Sequence, residues 1–539
     1  MLQLLCRALK GRCLATFITA LGVVGMPRAA VSGALDAPTR LVGRCGDRSV
    51  ALHWDAPLRG QPIGYNVYRA TRPEGPFSRA NAQPVSQLGF ADLEVANGTA
   101  CYYVVRAFNA IGESADSATL RAEPRPFRDD DDFLELLEAT AFDFFWYEAN
   151  PANGLIRDRS TARSFSSIAA VGFGLTGIGI GIDHGWITRG EGAERTLATL
   201  RTFWEGPQGP AATNVIGYHG WFYHFLNMDT ATRYRKVELS SIDTALFLAG
   251  ALYARQYFDR SEPPEPQIRG LAEAIYQRVD WNWMANGGKT LTMGYHPESG
   301  FLASRWVGYN EASILYIMGL GAATNPLPTA QWDAWVRGYD WRSFYGYSFV
   351  AFAPLFGHQY SQCWLDLRGL ADAYMREKQI TYFENSHRAT LAQRQYAMAN
   401  PGHFPAYSSN LWGFTACDGP GGRGYHGYAA RGAPPPENDD GTIAPTAPGG
   451  SLPFTPGVSL AALRHMYDTY RRELWTCYGF RDAFNVKANW WDPDVLGIDQ
   501  GPILIMAENY RTQRVWDLFM RSPEIQRGLH RAGFQPVRP

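Results

Sequence analysis

From position 133 onward, apolar residues recur every three to four positions, which is the period of an α-helix. Two kinds of segment alternate. One is amphipathic, with charge along one face, and covers 133–148, 190–204, 266–281, 330–339, 383–398 and 458–472. The other is apolar and rich in small residues, as a helix buried on every side should be. It covers 166–181, 240–253, 311–321, 359–371, 410–417 and 500–510. Outer and inner helices in six pairs predict an (α/α)6 barrel over residues 130–539. In such a barrel the inner helices run parallel, and the loops before them line one mouth.

Between 35 and 124 the period drops to two. Ser49-Val-Ala-Leu-His-Trp54, Gly64-Tyr-Asn-Val-Tyr-Arg69 and Cys101-Tyr-Tyr-Val-Val-Arg-Ala107 alternate, with Pro and Gly between them. This predicts a small all-β sandwich. Trp54, the Tyr-x-Val-Tyr strand, and Gly98-Thr99 with Asn109-Ala-Ile-Gly-Glu-Ser resemble a fibronectin type III module. That family's corner tyrosine corresponds here to Cys101, which fits a disulfide clasp to Cys45 in an exported protein. A Glu123-Pro-Arg-Pro linker follows. The acidic run 129–132 then suits the dipole at the start of a helix.

Before the sandwich, Arg7, Lys10 and Arg12 precede an apolar run, 14–26, and the small residues 29–34. That is the layout of a signal peptide, here 1–33, with an uncleaved anchor as the alternative. The run is short for a membrane span. The mature protein is expected to be exported, periplasmic or secreted, without a membrane span.

The chain has 539 residues, 46% of them hydrophobic and 14% aromatic, enough for a large core. A net charge of −1 offers nothing to nucleic acid. No cysteine pair has metal-ligand spacing, and no phosphate loop, dinucleotide fingerprint or nucleophile elbow occurs. Asn438-Asp-Asp-Gly441 lacks the bidentate glutamate of a calcium loop. No cofactor and no metal are expected, and oligomeric state is left open. The 17 Trp and 28 Tyr suit sugar stacking, although most belong in a core.

The loops before the inner helices carry the polar and aromatic residues. They include Trp221 and His224, Trp306 and Tyr309, Trp412 and Asp418, and Tyr425 in a second Gly-Tyr-His-Gly. Carboxylates sit at or near the helix starts: Glu238, Asp243, Glu311 and Asp499. Each is also a plausible cap. Glu238 and Asp243 are five apart, about 140° around a helix, so they meet only if Glu238 lies in the preceding loop. Glycosidic cleavage needs one protonated carboxyl and one ionised carboxylate. Apolar surroundings favour the proton, so Glu311, between Tyr309 and an apolar helix, is the candidate acid. Asp243 and Asp499 are the candidate bases.

Several ordered runs carry a wider resemblance. They are Ser166-Ser-Ile-Ala-Ala-Val-Gly-Phe, Trp221-Phe-Tyr-His-Phe, Glu238-Leu-Ser-Ser-Ile-Asp-Thr-Ala, Tyr309-Asn-Glu-Ala, Leu411-Trp-Gly-Phe-Thr-Ala-Cys-Asp-Gly-Pro, Asp440-Gly-Thr-Ile-Ala-Pro-Thr, and Gly497-Ile-Asp-Gln-Gly-Pro-Ile with Glu508-Asn-Tyr-Arg511. Residues 133–528 resemble the glucoamylase-like helical domain of bacterial β-1,2-glucanases. The resemblance implies an (α/α)6 glycoside hydrolase cutting β-1,2-glucan, endo-acting and inverting, without metal. It implies Glu311 as acid and either Asp243 or Asp499 as base. Glu238, Trp221, His224, Trp306, Tyr309, Trp412, Asp418, Tyr425, Glu508 and Arg511 are expected to bind a β-glucan oligo- or polysaccharide. Gly457 stands where related sequences often carry Glu, which is expected to alter a sugar subsite. A transglycosylase and a non-catalytic glucan-binding protein are the alternatives.

Overall fold

The computed structural model describes residues 35–421 and 425–537, so the signal-peptide expectation lies outside the described residues. Seven strands come first: β1 (Thr39–Gly46), β2 (Ser49–Asp55), β3 (Gly64–Ala70), β4 (Ser78–Arg79), β5 (Gly89–Asp92), β6 (Cys101–Phe108) and β7 (Leu120–Ala122). They form two antiparallel sheets, β1-β2-β5 and β4-β3-β6-β7. Alternation along β2 divides its side chains. Val50, Leu52 and Trp54 fill the space between the sheets, whereas Ala51 joins the core of the helical part. His53 turns the same way. Its ring stacks on Tyr147 at 4.5 Å and hydrogen-bonds the Cys477 carbonyl at 3.1 Å. Arg44 grips Asp143 with two bonds of 3.2 and 3.1 Å. Cys45 and Cys101 are free thiols, so the expected disulfide clasp is absent.

The helices follow in order. α1 (Asp130–Tyr147) precedes α2 (Ile168–Asp183), and α3 (Arg189–Glu205) precedes α4 (Ser241–Tyr257). Next come α5 (Glu265–Gln277), the short α6 (Trp281–Ala285) and α7 (Ser313–Gly321), then α8 (Thr329–Val336) and α9 (Phe356–Gln359). α10 (Ala373–Lys378) and α11 (Tyr382–Ala399) lead to α12 (Thr446–Gly449), and α13 (Pro456–Leu474) leads to α14 (Gly497–Arg511). α15 (Arg514–Phe519) and α16 (Pro523–Arg531) close the chain. Asp129 caps α1 by accepting the Asp132 N–H, as the acidic run predicted. α2, α4, α7 and α14 are buried along nearly their whole length. α2 and α4 touch backbone to backbone: a Cβ on Gly250 would lie 2.0 Å from the Gly172 carbonyl oxygen.

Two expected inner helices differ. The segment 359–371 is helical only at its start, as α9 and a 3-10 turn, Tyr360–Cys363. It ends in a local turn, where Asp366 accepts the Arg368 N–H. The segment 410–417 is not helical. The Gln393 amide, lying across it, pairs with both the N–H and the carbonyl of Phe414, at 2.8 and 2.9 Å, and holds the strand extended. The buried helix between α11 and α13 is the four-residue α12 instead. Among the described residues, no helix is long and apolar enough to cross a membrane.

Candidate active site

α4 begins at a serine cap. Ser240 accepts the Asp243 N–H at 3.2 Å, and its own hydroxyl donates to the Asp243 carboxylate. The cap therefore places Asp243 in the first turn and occupies one of its oxygens. Glu311 lies just ahead of α7. Ser361, from the 3-10 turn, donates to the Glu311 carbonyl at 2.6 Å and accepts the Ile314 N–H at 3.0 Å, locking that bend. Asp499 lies in the first turn of α14, and its carbonyl accepts Thr446 Oγ1 from α12 at 3.1 Å. These helix starts share one end of the helical layer. Asp243, Glu311 and Asp499 line a single cavity of about 220 Å³ together with His224. Phe356 and Tyr360 form an apolar wall, and Tyr428 covers one side.

The three carboxyls are not equivalent. Burial, and then the nearby Asp243 charge, raise Glu311 to about 7, so it holds a proton near neutrality. Asp243 faces His224, whose Nε2 is 3.5 Å away, while His224 Nδ1 is 2.9 Å from Glu238. Desolvation opposes the imidazolium, yet Asp243 and Glu238 raise it to about 9. Glu238 is held at about 2, against its own desolvation, by the bond to His224. Glu238 lies in the loop before α4, the one placement in which it and Asp243 can meet. Burial, and then the neighbouring Asp482, raise Asp499 well above the carboxylate range.

Several expected sugar contacts belong to the core. Trp221 is fully buried, donates to the Asp280 carbonyl at 3.0 Å and packs edge-on against Trp281. Trp412 is also fully buried. Trp306 is 6% exposed and donates to Ser241 Oγ at 2.8 Å, tying the Glu311 loop to α4. Tyr309, 7% exposed, stacks on Tyr382. None of the four presents a free face to a glucan. Asp418 is buried behind the cavity, 2.8 Å from Arg159. Glu508 and Arg511 occupy the opposite end of α14. There Glu508 accepts from His184 at 2.8 Å, and Arg511 joins Glu135 and Glu138 of α1. The Tyr425 side chain lies outside the described residues. Gly457 sits exposed in the first turn of α13 and does not line the cavity.

Two residues escaped the sequence reading. Tyr428 is 55% exposed, yet its hydroxyl, raised to about 12 by burial and then by Glu311, faces the cavity. Its only signal was an aromatic three places past the loop tyrosine. Asp482 touches Asp499 from behind, and nothing in its local sequence marks it. Among the described residues, two side-chain groups have metal-ligand proximity, Glu135–Glu138–His184 and Asp418–Asp482–Asp492. Arg511 already supplies the positive charge in the first.

A carboxyl that holds its proton near neutrality, sharing one cavity with two further carboxyl groups, is the equipment of an acid–base glycoside hydrolase. The comparisons agree. The family model described as "Glycoamylase: Putative glucoamylase" matches residues 303–523. An exo β-1,2-glucooligosaccharide sophorohydrolase (non-reducing end) of Parabacteroides distasonis is 30% identical, over 92% of this chain and 71% of that protein. The crystal structure of a β-1,2-glucanase from Parabacteroides distasonis superposes with a TM-score of 0.82, at 27% identity, over 94% of this chain and 74% of the other. An endo-β-1,2-glucanase from Chitinophaga pinensis, solved with sophorotriose and glucose, gives 0.68 at 30% identity, over 76% of this chain and 99% of the other. The chain belongs to the glucoamylase-like family that holds these β-1,2-glucan hydrolases.

Proposed function

We propose that the protein hydrolyses β-1,2-glucan, with Glu311 as general acid, Asp499 on the water side, and Asp243 beside His224 in the same cavity. The observation that carries this reading is the shared cavity. Three carboxyls from three helix starts meet there, and Glu311 holds its proton up to about pH 7. Glu311 protonates the leaving oxygen. Asp243, 3.5 Å from the His224 ring, steadies the positive charge that develops at the sugar ring. Asp499 directs a water at the anomeric carbon from the other side, which makes the reaction inverting.

The architecture read with this function is a fibronectin type III-like module at 35–124 and an (α/α)6 barrel at 130–539. The two-sheet order of the strands and the alternation of outer and inner helices support it. An exported enzyme, acting in mid-chain, completes the reading.

A second mode, release of disaccharide from the non-reducing end, is favoured by one observation. The alignment to the sophorohydrolase spans 92% of this chain, a share too large to omit the strand-rich N-terminal part. Incubation with linear β-1,2-glucan separates the modes. Mid-chain cleavage releases a ladder of oligosaccharides from the start, and terminal cleavage releases one short product only. A panel of other linkages tests the substrate, and α-anomeric products by NMR test inversion. Wild-type protein that binds β-1,2-glucan but releases nothing would overturn the enzymatic reading.

A further inference from the structure

Behind Asp499 lies a second carboxyl with no other evident partner for one of its oxygens. Asp482 is 1% exposed. Its Oδ2 accepts the Asp418 backbone N–H at 2.7 Å. Its Oδ1 is buried without a donor, as is Asp499 Oδ2, and the two carboxyl groups lie within hydrogen-bonding contact. Two carboxyls bond to each other only when a proton sits between them. The other groups facing Asp482 are Asp418, Asp492, Arg159, Cys417 and, across the cavity, Tyr428. The one cation among them, Arg159, contacts Asp418 at 2.8 Å and Asp494 at 3.4 Å.

The geometry points to Asp482 as a positioning residue that works through Asp499, the pair acting as a single acid–base unit in which Asp482 is the final proton acceptor. This rests on the reading of Asp499 as the water-side group. It also removes a difficulty in that reading, because a buried carboxyl that already holds a proton cannot by itself deprotonate water. In the pair it can. The water O–H bond breaks, and its proton goes to the oxygen of Asp499 that faces the cavity. The proton already shared moves from Asp499 to Asp482. The water electron pair forms the new bond to the anomeric carbon. The old glycosidic bond breaks, and its oxygen takes the proton of Glu311. Asp482 passes from anion to neutral acid, Glu311 from neutral acid to anion, and Asp499 ends as neutral as it began.

The test compares Asp482→Asn, Asp499→Asn and the double variant, with kcat and KM measured on β-1,2-glucan across pH. Both single variants are expected to lose kcat by about 100-fold or more with little change in KM, and the double variant to be no worse than Asp499→Asn alone. Asp482→Asn that keeps its kcat, with the acid limb moved to lower pH, overturns the proposal and leaves Asp499 acting alone. Fully active Asp499→Asn removes Asp499, and with it the pair. If Asp482→Asn does not fold, Asp482→Glu carries the test. It keeps a carboxyl and is expected within about tenfold of wild type, whereas a folded Asp482→Glu as inactive as Asp499→Asn overturns the pair. Loss of wild-type activity in chelator, restored by calcium, would reassign the cluster to a cation and also overturn it.

Discussion

His224 Nε2 lies 3.5 Å from Asp243 Oδ2, and the same ring holds Glu238 through its other nitrogen at 2.9 Å. One imidazolium thus serves two carboxylates, one in a loop and one on a helix. His224→Gln removes the charge and keeps an amide. Glu238 then loses the bond that holds it at about 2 and ionises at higher pH, so the acid limb of kcat/KM should move up. A shift of one unit corresponds to about 1.4 kcal/mol. An unmoved acid limb would show that the bond between His224 and Glu238 plays no part in catalysis.

Glu311 must be protonated to act as the acid. With its carboxyl raised to about 7, kcat/KM is expected to fall as pH rises through about 7. Glu311→Gln should lower kcat by about 10²–10⁴-fold with the fold intact. Full activity in that variant would take Glu311 out of the mechanism.

Trp221 and Tyr428 should separate cleanly. Trp221 is fully buried, so Trp221→Ala is expected to cost about 3–5 kcal/mol of stability, read from thermal or denaturant unfolding. Tyr428 is 55% exposed over the cavity, so Tyr428→Ala should raise KM and leave unfolding nearly unchanged. A KM defect in folded Trp221→Ala, with stability retained, would restore the tryptophan as a sugar contact.

At the far end of α14, Glu135, His184, Glu138, Glu508 and Arg511 form one network. The bond to His184, and then Arg511, hold Glu135 at about 2, below its ordinary 4.5. Against desolvation, the bonds to Glu135 and Glu508 raise His184 to about 10 from 6.5. The Glu135 contribution is therefore present above pH 4.5 and lost as pH falls toward 2. The His184 contribution is present below pH 6.5 and lost as pH rises toward 10. The stability advantage of wild type over His184→Ala should be greatest between pH 4.5 and 6.5. Arg511→Met removes the cation from Glu138, whose carboxyl is already raised to about 8 by burial, and should cost about 1–3 kcal/mol. Arg511→Met should leave the kcat of folded enzyme intact, and a specific loss of kcat would return Arg511 to the substrate site.

Much of this was legible along the chain. The amphipathic period at 190–204 became Arg189–Glu205, and the apolar run at 500–510 became the body of Gly497–Arg511. Carboxylates at helix starts were visible because a polar loop meeting an apolar helix is a local event. Asp243, Glu311 and Asp499 could be picked out for that reason. The failures share a cause. A tryptophan beside glycine reads alike whether its face meets a sugar or another ring. Only its neighbours decide, and for Trp221 they are the Asp280 carbonyl and Trp281. Glu508 lies nine residues beyond Asp499, about 13.5 Å along a helix, so one sequence motif spans both ends of the layer.

Periodicity and capping are properties of a few consecutive residues, and they marked most of the helices and the carboxyls at their starts, though not the non-helical 410–417. Ionisation is not such a property. It depends on what other segments bring within a few ångströms, and on how much water they exclude. The contact of Asp482 with Asp499, the bridging ring of His224 and the proton on Glu311 therefore existed only once the chain had folded.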